Sequence, residues 1–256
     1  MRRLSLALFV ACVFTAGATE QAFSDGAPYD DGPSSVVPSL ANSWSGFYLG
    51  AHLGGTWGSS TATDSSGLTT LNDYWSAAPS GFVAGAQLGY NWQLGSMIYG
   101  IEGDLGNLGL AGTATTTYVP FGYDTSTSTD AGFYMTLRGR LGFLMNGWML
   151  YATGGYMGAD TTVSVIEACT STVCGASVSA SNESFRSGWT VGGGFESELA
   201  PGWSWKVEYL YYDLGSETAY TNASISGGPN SWTVDTDGQL VRAGINYRFN
   251  SFKFSQ

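Results

Sequence analysis

In five stretches of this chain every mid-strand ionisable side chain falls on one face of a two-residue alternation, while aromatic or aliphatic residues fill the other. Near Met97 to Leu108, Glu102 and Asp104 alternate with Tyr99, Ile101 and Leu105. Near Gly132 to Leu144, Arg138 and Arg140 alternate with Phe133, Leu137, Leu141 and Phe143. Glu196 and Glu198 alternate with Trp189, Val191, Phe195 and Leu199; Lys206 and Glu208 with Trp203, Trp205, Val207 and Tyr209; Arg242 and Arg248 with Val241, Ile245, Tyr247 and Phe249. A period of two is β-strand geometry, since successive side chains point to opposite faces. Periodicity alone does not say which face is buried, but the inventory does. The apolar face carries Trp57, Trp92, Trp189, Trp203 and Trp205 with Tyr and Phe toward strand ends, as an interfacial girdle would, and the other face is largely Gly. Lys or Arg facing lipid costs about 2 to 4 kcal/mol at the midplane, so this segregation is the one expected when the outside solvent is hydrocarbon. The acids Glu102, Asp104, Glu196, Glu198 and Glu208 then balance the bases Arg138, Arg140, Lys206, Arg242 and Arg248 inside. Buried charges persist when paired, so a salt-bridged, side-chain-filled lumen is expected, with no catalytic, cofactor or metal cluster.

Three further alternating segments, near Phe47 to Trp57, Gly81 to Trp92 and Trp148 to Ala159, bring the total to eight. Each is close to the roughly 9 to 11 residues that a tilted membrane strand needs. The joints set the topology. Gln93 to Ser96, Met145 to Gly147 and Ala200 to Gly202 are short and turn-like, with Asn146-Gly147 the strongest hairpin signal. The joints between them, about Gly58 to Ser80, Gly109 to Ala131, Asp160 to Arg186 and Gly215 to Asp237, are long and rich in Ser, Thr, Gly and Asp. The expected fold is all-β: an eight-stranded antiparallel up-and-down transmembrane β-barrel over residues 44–249 with short periplasmic turns and four long extracellular loops. An even strand number puts both ends of the barrel on the periplasmic side.

Charged residues make up only 11% of the chain, too few for an ordinary soluble surface, and no segment downstream of the first approaches eighteen consecutive apolar residues, which rules out a helical membrane protein. Residues 1–24 have a basic start at Arg2 and Arg3 and an apolar run from Leu4 to Ala16, and read as a secretory signal peptide. Residues 25–43, with Pro28, Pro33, Pro38, Asp30 and Asp31, read as a disordered periplasmic linker, and residues 250–256 as a C-terminal tail. Cys169 and Cys174 lie in a Ser, Thr and Ala setting without a nearby His, and in an oxidising compartment a disulfide is the default for such a pair. The net charge of −11 arises in the loops and tail, from acids such as Asp64, Asp73, Asp124, Glu167, Glu183, Glu217 and Asp235; of the mature bases only Arg186 and Lys253 are expected outside the lumen. Such a surface disfavours nucleic acid.

Trp44-Ser45-Gly46-Phe47-Tyr48-Leu49-Gly50 and the closing Val241-Arg242-Ala243-Gly244-Ile245-Asn246-Tyr247-Arg248-Phe249 resemble the first and last strands of the porin-like outer-membrane β-barrel family of Gram-negative bacteria that includes the small major surface proteins of alphaproteobacteria. The resemblance runs over about Ser43 to Phe249. It implies a non-enzymatic protein of the outer membrane with a structural or porin-like envelope role and surface-exposed loops. The partners expected are outer-membrane lipids, lipopolysaccharide and the barrel assembly machinery, which in this family recognises a terminal aromatic residue; here Asn250 to Gln256 follow Phe249. Two alternatives stand beside this reading. An outer-membrane lipid-modifying enzyme would need a His beside a Ser, and only His52 is available, on the inward face. A haem- or lipid-binding surface protein would use loop aromatics such as Tyr118, Tyr123, Tyr220 and Trp232.

Overall fold

A computed structural model describes residues 43–64, 74–118, 123–169, 178–221 and 230–249. The expected signal peptide, the linker apart from Ser43, and the tail lie outside the described residues. Nine strands follow one another: β1 (Gly46–Asp64), β2 (Tyr74–Ala77), β3 (Ser80–Leu94), β4 (Met97–Tyr118), β5 (Tyr123–Met145), β6 (Trp148–Cys169), β7 (Val178–Ala200), β8 (Trp203–Thr221) and β9 (Asn230–Arg248). Every pairing is antiparallel, and β9 returns to β1 along Tyr48↔Arg248 to Asp64↔Trp232. Eight strands therefore close the barrel. The ninth, β2, lies in the joint expected to be a loop and pairs only with the outer end of β1, from Ser60↔Ala77 to Thr63↔Tyr74.

The three short turns fall where the sequence places them. Asn146 and Gly147 both take positive φ, 48° and 88°, the primed-turn geometry that matches strand twist. At the other end the structure departs from expectation, because most residues of the four long joints continue the strands. Their alternating Thr and Val, such as Thr125, Thr127 and Thr129 on β5 and Thr161, Val163 and Val165 on β6, are buried, and β-branched residues favour the extended chain. Polarity there is not a loop signal. Tyr118, Tyr123, Tyr220 and Trp232 accordingly stand on paired strands, not in loops, and their side chains lie outside the described residues.

Exposed apolar residues form a band around the outside from Phe47 to Trp57 on β1 and equivalently on the other barrel strands. Ten residues at about 3.3 Å, inclined by about 40°, give a height near 25 Å, the thickness of an outer-membrane apolar belt. At the short-turn end rings pack against one another around the rim: Phe47 edge to face with Tyr90, Trp92 stacked on Tyr99, and Tyr247 tilted against Trp203 and edge to face with Phe249. By the same arithmetic β4, with 22 residues, rises about 55 Å, so roughly half of the wall stands beyond the hydrocarbon.

Candidate functional site

The inward faces stack in layers. At the short-turn mouth Trp44, Ile98, Met149 and Tyr151 form a buried cluster. The Trp44 backbone N–H donates to Gln93 Oε1 at 2.7 Å and its ring lies 4.6 Å under the Arg248 guanidinium. Arg248 in turn approaches Glu198 at 3.7 Å, where the Glu198 side chain is 21% exposed. This pair belongs to the mouth.

The other eight charges expected in the lumen form one belt above it, each at most 4% exposed. Glu102 is the hub. It contacts Arg138, Arg140 (3.4 Å), Lys206 (3.0 Å) and Arg242 (3.7 Å), and accepts from Tyr48 Oη at 2.8 Å. Asp104 Oδ2 accepts from Thr136, Arg138 and Arg242 at 2.5, 2.8 and 3.0 Å. Glu208 holds Arg242 Nε at 2.7 Å and Arg138 Nη1 at 3.1 Å and takes a further bond from Tyr151 Oη at 3.0 Å. Glu196 binds Arg140 at 2.6 Å and accepts from Ser204 and Asn246 at 2.6 and 2.9 Å. Four carboxylates thus neutralise four cations at positions almost wholly removed from the surrounding solvent, the pairing under which buried ions are tolerated. The ladder sets this up: Glu102 lies directly opposite Arg138, and Glu208 opposite Arg242.

Several belt members carry no charge and were not legible as site residues. Tyr48, Tyr134, Tyr151, Gln87, Thr136 and Asn246 sit at inward positions, and their signal was that phase alone. Their size is accommodated by glycines on adjacent strands: a Cβ on Gly89 would lie 2.3 Å from the Tyr48 ring hydroxyl and one on Gly106 2.8 Å from the Tyr134 ring. His52 points inward as expected. Its Nδ1 meets Gln87 Oε1 at 2.7 Å, and its Nε2 meets Tyr134 Oη at 2.6 Å and Arg242 Nη1 at 3.2 Å. No Ser is among these partners.

Above the belt the lumen is apolar, which the sequence reading missed in describing that face as mostly Gly and charge. Val83, Leu108, Leu110, Met157, Leu210, Tyr212, Leu214 and Leu240 pack together there. A second correction concerns Arg186, expected on the outside. It is 5% exposed and turned inward at the loop end, bonded to Thr236 Oγ1 at 2.7 Å and Val234 O at 2.9 Å. The pairing of Cys169 with Cys174 lies outside the described residues, as do Lys253 and the side chains of Asp64 and Glu167. Among the described residues no cluster of His, Cys, Asp and Glu could hold a metal ion.

Comparison with known proteins agrees with this architecture. The family described as outer membrane protein beta-barrel domain matches residues 8–251. The chain is a member of that outer-membrane family. The 25 kDa outer-membrane immunogenic protein of Brucella abortus biovar 1 (strain 9-941) is 30% identical over 242 residues, covering 94% of this chain and 92% of the relative. The 31 kDa outer-membrane immunogenic protein of Brucella melitensis biotype 1 is 28% identical over 252 residues, 94% of this chain and 99% of its own. The 22 kDa outer membrane protein of Rhizobium leguminosarum bv. viciae is 29% identical over 211 residues, 82% of this chain and 80% of its own. Among solved structures, the outer membrane protein OprG from Pseudomonas aeruginosa shares the fold with a TM-score of 0.51 at 13% identity, over 81% of this chain and 97% of that one. This family member, like the relatives so named, is an outer-membrane β-barrel protein of Gram-negative type.

Proposed function

We propose that this family member is a non-enzymatic envelope barrel whose sealed lumen anchors a wall standing beyond the hydrocarbon. The observation that carries the reading is the ionic belt: eight interlocked charges span the lumen cross-section, with the apolar layer of Leu108, Leu110, Leu210 and Leu240 stacked on it. A water channel would leave such groups hydrated, and an eight-stranded barrel has room for little more than its own side chains. The His52 environment supports the non-catalytic part, since both ring nitrogens are committed to Gln87, Tyr134 and Arg242.

The outer wall bears hydroxyls and carboxylates, including Asp130, Asp160, Glu183 and Asp235, all exposed. Such a surface suits the saccharide and phosphate layer of lipopolysaccharide when divalent cations bridge like charges, and it repels nucleic acid. The lipid partners contact the apolar band. The assembly machinery acts on the closing strand that ends at Tyr247 and Phe249. Two relatives are named immunogenic, and the loop-end rim is the surface through which this chain would meet a host. Recordings on purified protein in planar bilayers test the sealed lumen: no conductance above the bare bilayer is expected, and reproducible ohmic steps would overturn the reading.

A further inference from the structure

Beyond the apolar band the wall is not one continuous sheet. Among the described residues β7 pairs with β8 only from Trp189↔Asp213 to Ala200↔Trp203. Yet β7 runs outward to Val178 on β6, and β8 runs outward to Thr221 on β9. Diametrically opposite, β3 pairs with β4 no further out than Ser80↔Ala111, while β4 continues to Tyr118 with β5. The loop-end half is therefore two four-stranded sheets, β4–β5–β6–β7 and β8–β9–β1–β2, with β2 in the place that β3 vacates.

The strand that leaves its neighbour carries the same device at both seams. In Asn107-Leu108-Gly109 and Asp213-Leu214-Gly215 the first side chain accepts the glycine N–H at 2.7 Å. The glycines take φ of +51° and +68°, and the leucines are buried in the lumen. The register with the following strand shifts at each site, between Asn107 and Leu110 and between Asp213 and Ser216. Such bulges bend a strand and end its pairing.

The two seams are closed differently. At the first, Pro79 is wedged against Gly112, where a Cβ would lie 2.6 Å from the Pro79 Cα, and Pro79 O accepts the Gly58 N–H at 2.9 Å. At the second, side chains replace the ladder. Glu217 on β8 accepts from Asn182 Nδ2 at 3.1 Å and from Ser184 Oγ, both on β7. Arg186 on β7 donates to Gly215 O on β8 and to Val234 O on β9, with its Nε 3.7 Å from Glu217. Behind this zipper the sheets meet through small groups such as Val163 and Val165 against Ala62 and Val234, and Ser60 Oγ with Thr129 Oγ1 at 3.2 Å. Such a joint is weak compared with a continuous β-ladder, and local opening is drawn from regions with few buried apolar contacts.

We propose that the loop-end half opens sideways along the β7–β8 seam, with Glu217 and Arg186 as the latch, while the membrane half stays closed. Opening uncovers the inner faces of both sheets and two unpaired strand edges, turning a sealed rim into one that can change shape at the cell surface. Cysteine accessibility in liposome-inserted protein tests this. In a chain with Cys169→Ser and Cys174→Ser, a Val163→Cys probe sits behind the seam and a Met157→Cys probe sits in the apolar layer below. Adding Glu217→Ala or Arg186→Met should speed reaction of the Val163→Cys probe with a water-soluble maleimide by about tenfold or more, with Met157→Cys unchanged. Glu217→Gln, which keeps an acceptor, should give a smaller rise, and it stands in if the alanine variant fails to insert by heat-modifiable gel mobility. Glu183→Ala, exposed on β7 beside the latch, should give none. Equal labelling rates with and without the latch substitutions, or parallel acceleration of both probes, would overturn the proposal.

Discussion

Replacing Glu102 by Gln is the sharpest perturbation of the lumen because one atom changes while the side-chain shape is kept. Glu102 touches Arg138, Arg140, Lys206 and Arg242, so its removal leaves a belt of three carboxylates and four cations with net charge +1. Lys206 suffers most: its bonds are to the two Glu102 oxygens at 3.0 and 3.1 Å, and a glutamine would present it with an NH2 group. Removing one partner of a buried pair costs about 3 to 5 kcal/mol, because the other charge stays buried without compensation. Lys206→Met is milder, since Glu102 keeps three guanidinium neighbours. The double variant restores neutrality with a thioether in place of an ammonium, and its loss should fall short of the sum of the singles by about 1 to 3 kcal/mol. Urea unfolding of the liposome-refolded barrel, followed by heat-modifiable mobility, measures all three. If water filled the lumen the pair would behave like a surface pair, worth about 0 to 1 kcal/mol. A Glu102→Gln loss below about 1 kcal/mol together with additivity within about 0.5 kcal/mol would refute the sealed-lumen argument.

Four further outcomes follow from named contacts. Gly89→Ala places a Cβ 2.3 Å from the Tyr48 ring and 2.7 Å from Ile101 O, so it should cost about 3 kcal/mol through overpacking and disturbance of the Tyr48 to Glu102 bond. Gly139→Ala, whose Cβ has nothing nearer than 3.9 Å on the lipid side, should change the unfolding free energy by less than about 0.5 kcal/mol. Asp237, outside the apolar band and directly across from Asp213, has its pKa raised by partial burial and by that like charge. A carboxyl that holds its proton more tightly when folded stabilises at low pH and loses that contribution as pH rises through its folded pKa. Asp237→Asn should therefore raise the unfolding free energy at neutral pH by roughly a few tenths of a kcal/mol, the scale of an exposed cross-strand pair, with the gain vanishing near about pH 3; a gain that persists there would refute the assignment. Trp44→Ala removes a buried ring from the short-turn mouth and should cost about 3 kcal/mol; no loss would mean that the mouth is closed without it.

What was legible in the sequence follows the strength of each physical penalty. Charge on the lipid face is heavily penalised, so the phases of Glu102, Arg138, Lys206 and Arg242 are strict, and barrel, topology and belt could be read from them. Turns that demand positive φ are similarly constrained, and Asn146-Gly147 announced itself. Past the hydrocarbon both penalties lapse. Thr and Ser serve a wet strand as well as they serve a loop, which is why the outer halves of β4 to β7 read as joints. Arg186 was misplaced for the same reason. It stands among Ser and Glu, and only the seam, a feature of which strands part company, explains why a cation turns inward there to meet the carbonyls of Gly215 and Val234.

A signal for that seam did exist in the repeated Asx-Leu-Gly. Asn107-Leu108-Gly109 and Asp213-Leu214-Gly215 each follow an apolar stretch on the strand after a short-joint turn, so they recur at equivalent levels four strands apart. The triplet is not sufficient by itself, since Asp104-Leu105-Gly106 has the same residues and stays in the regular ladder, with Asp104 opposite Thr136. The difference is face and depth: Asp104 points into the lumen and Leu105 outward, whereas Leu108 and Leu214 are the inward residues of the other two triplets. At Asp104 the carboxylate is claimed by Arg138 and Arg242 in the belt, whereas at Asn107 and Asp213 the nearest donor is the glycine N–H two residues on. Local sequence proposes the bulge, and an inward carboxylate already held by the belt, as at Asp104, forgoes it.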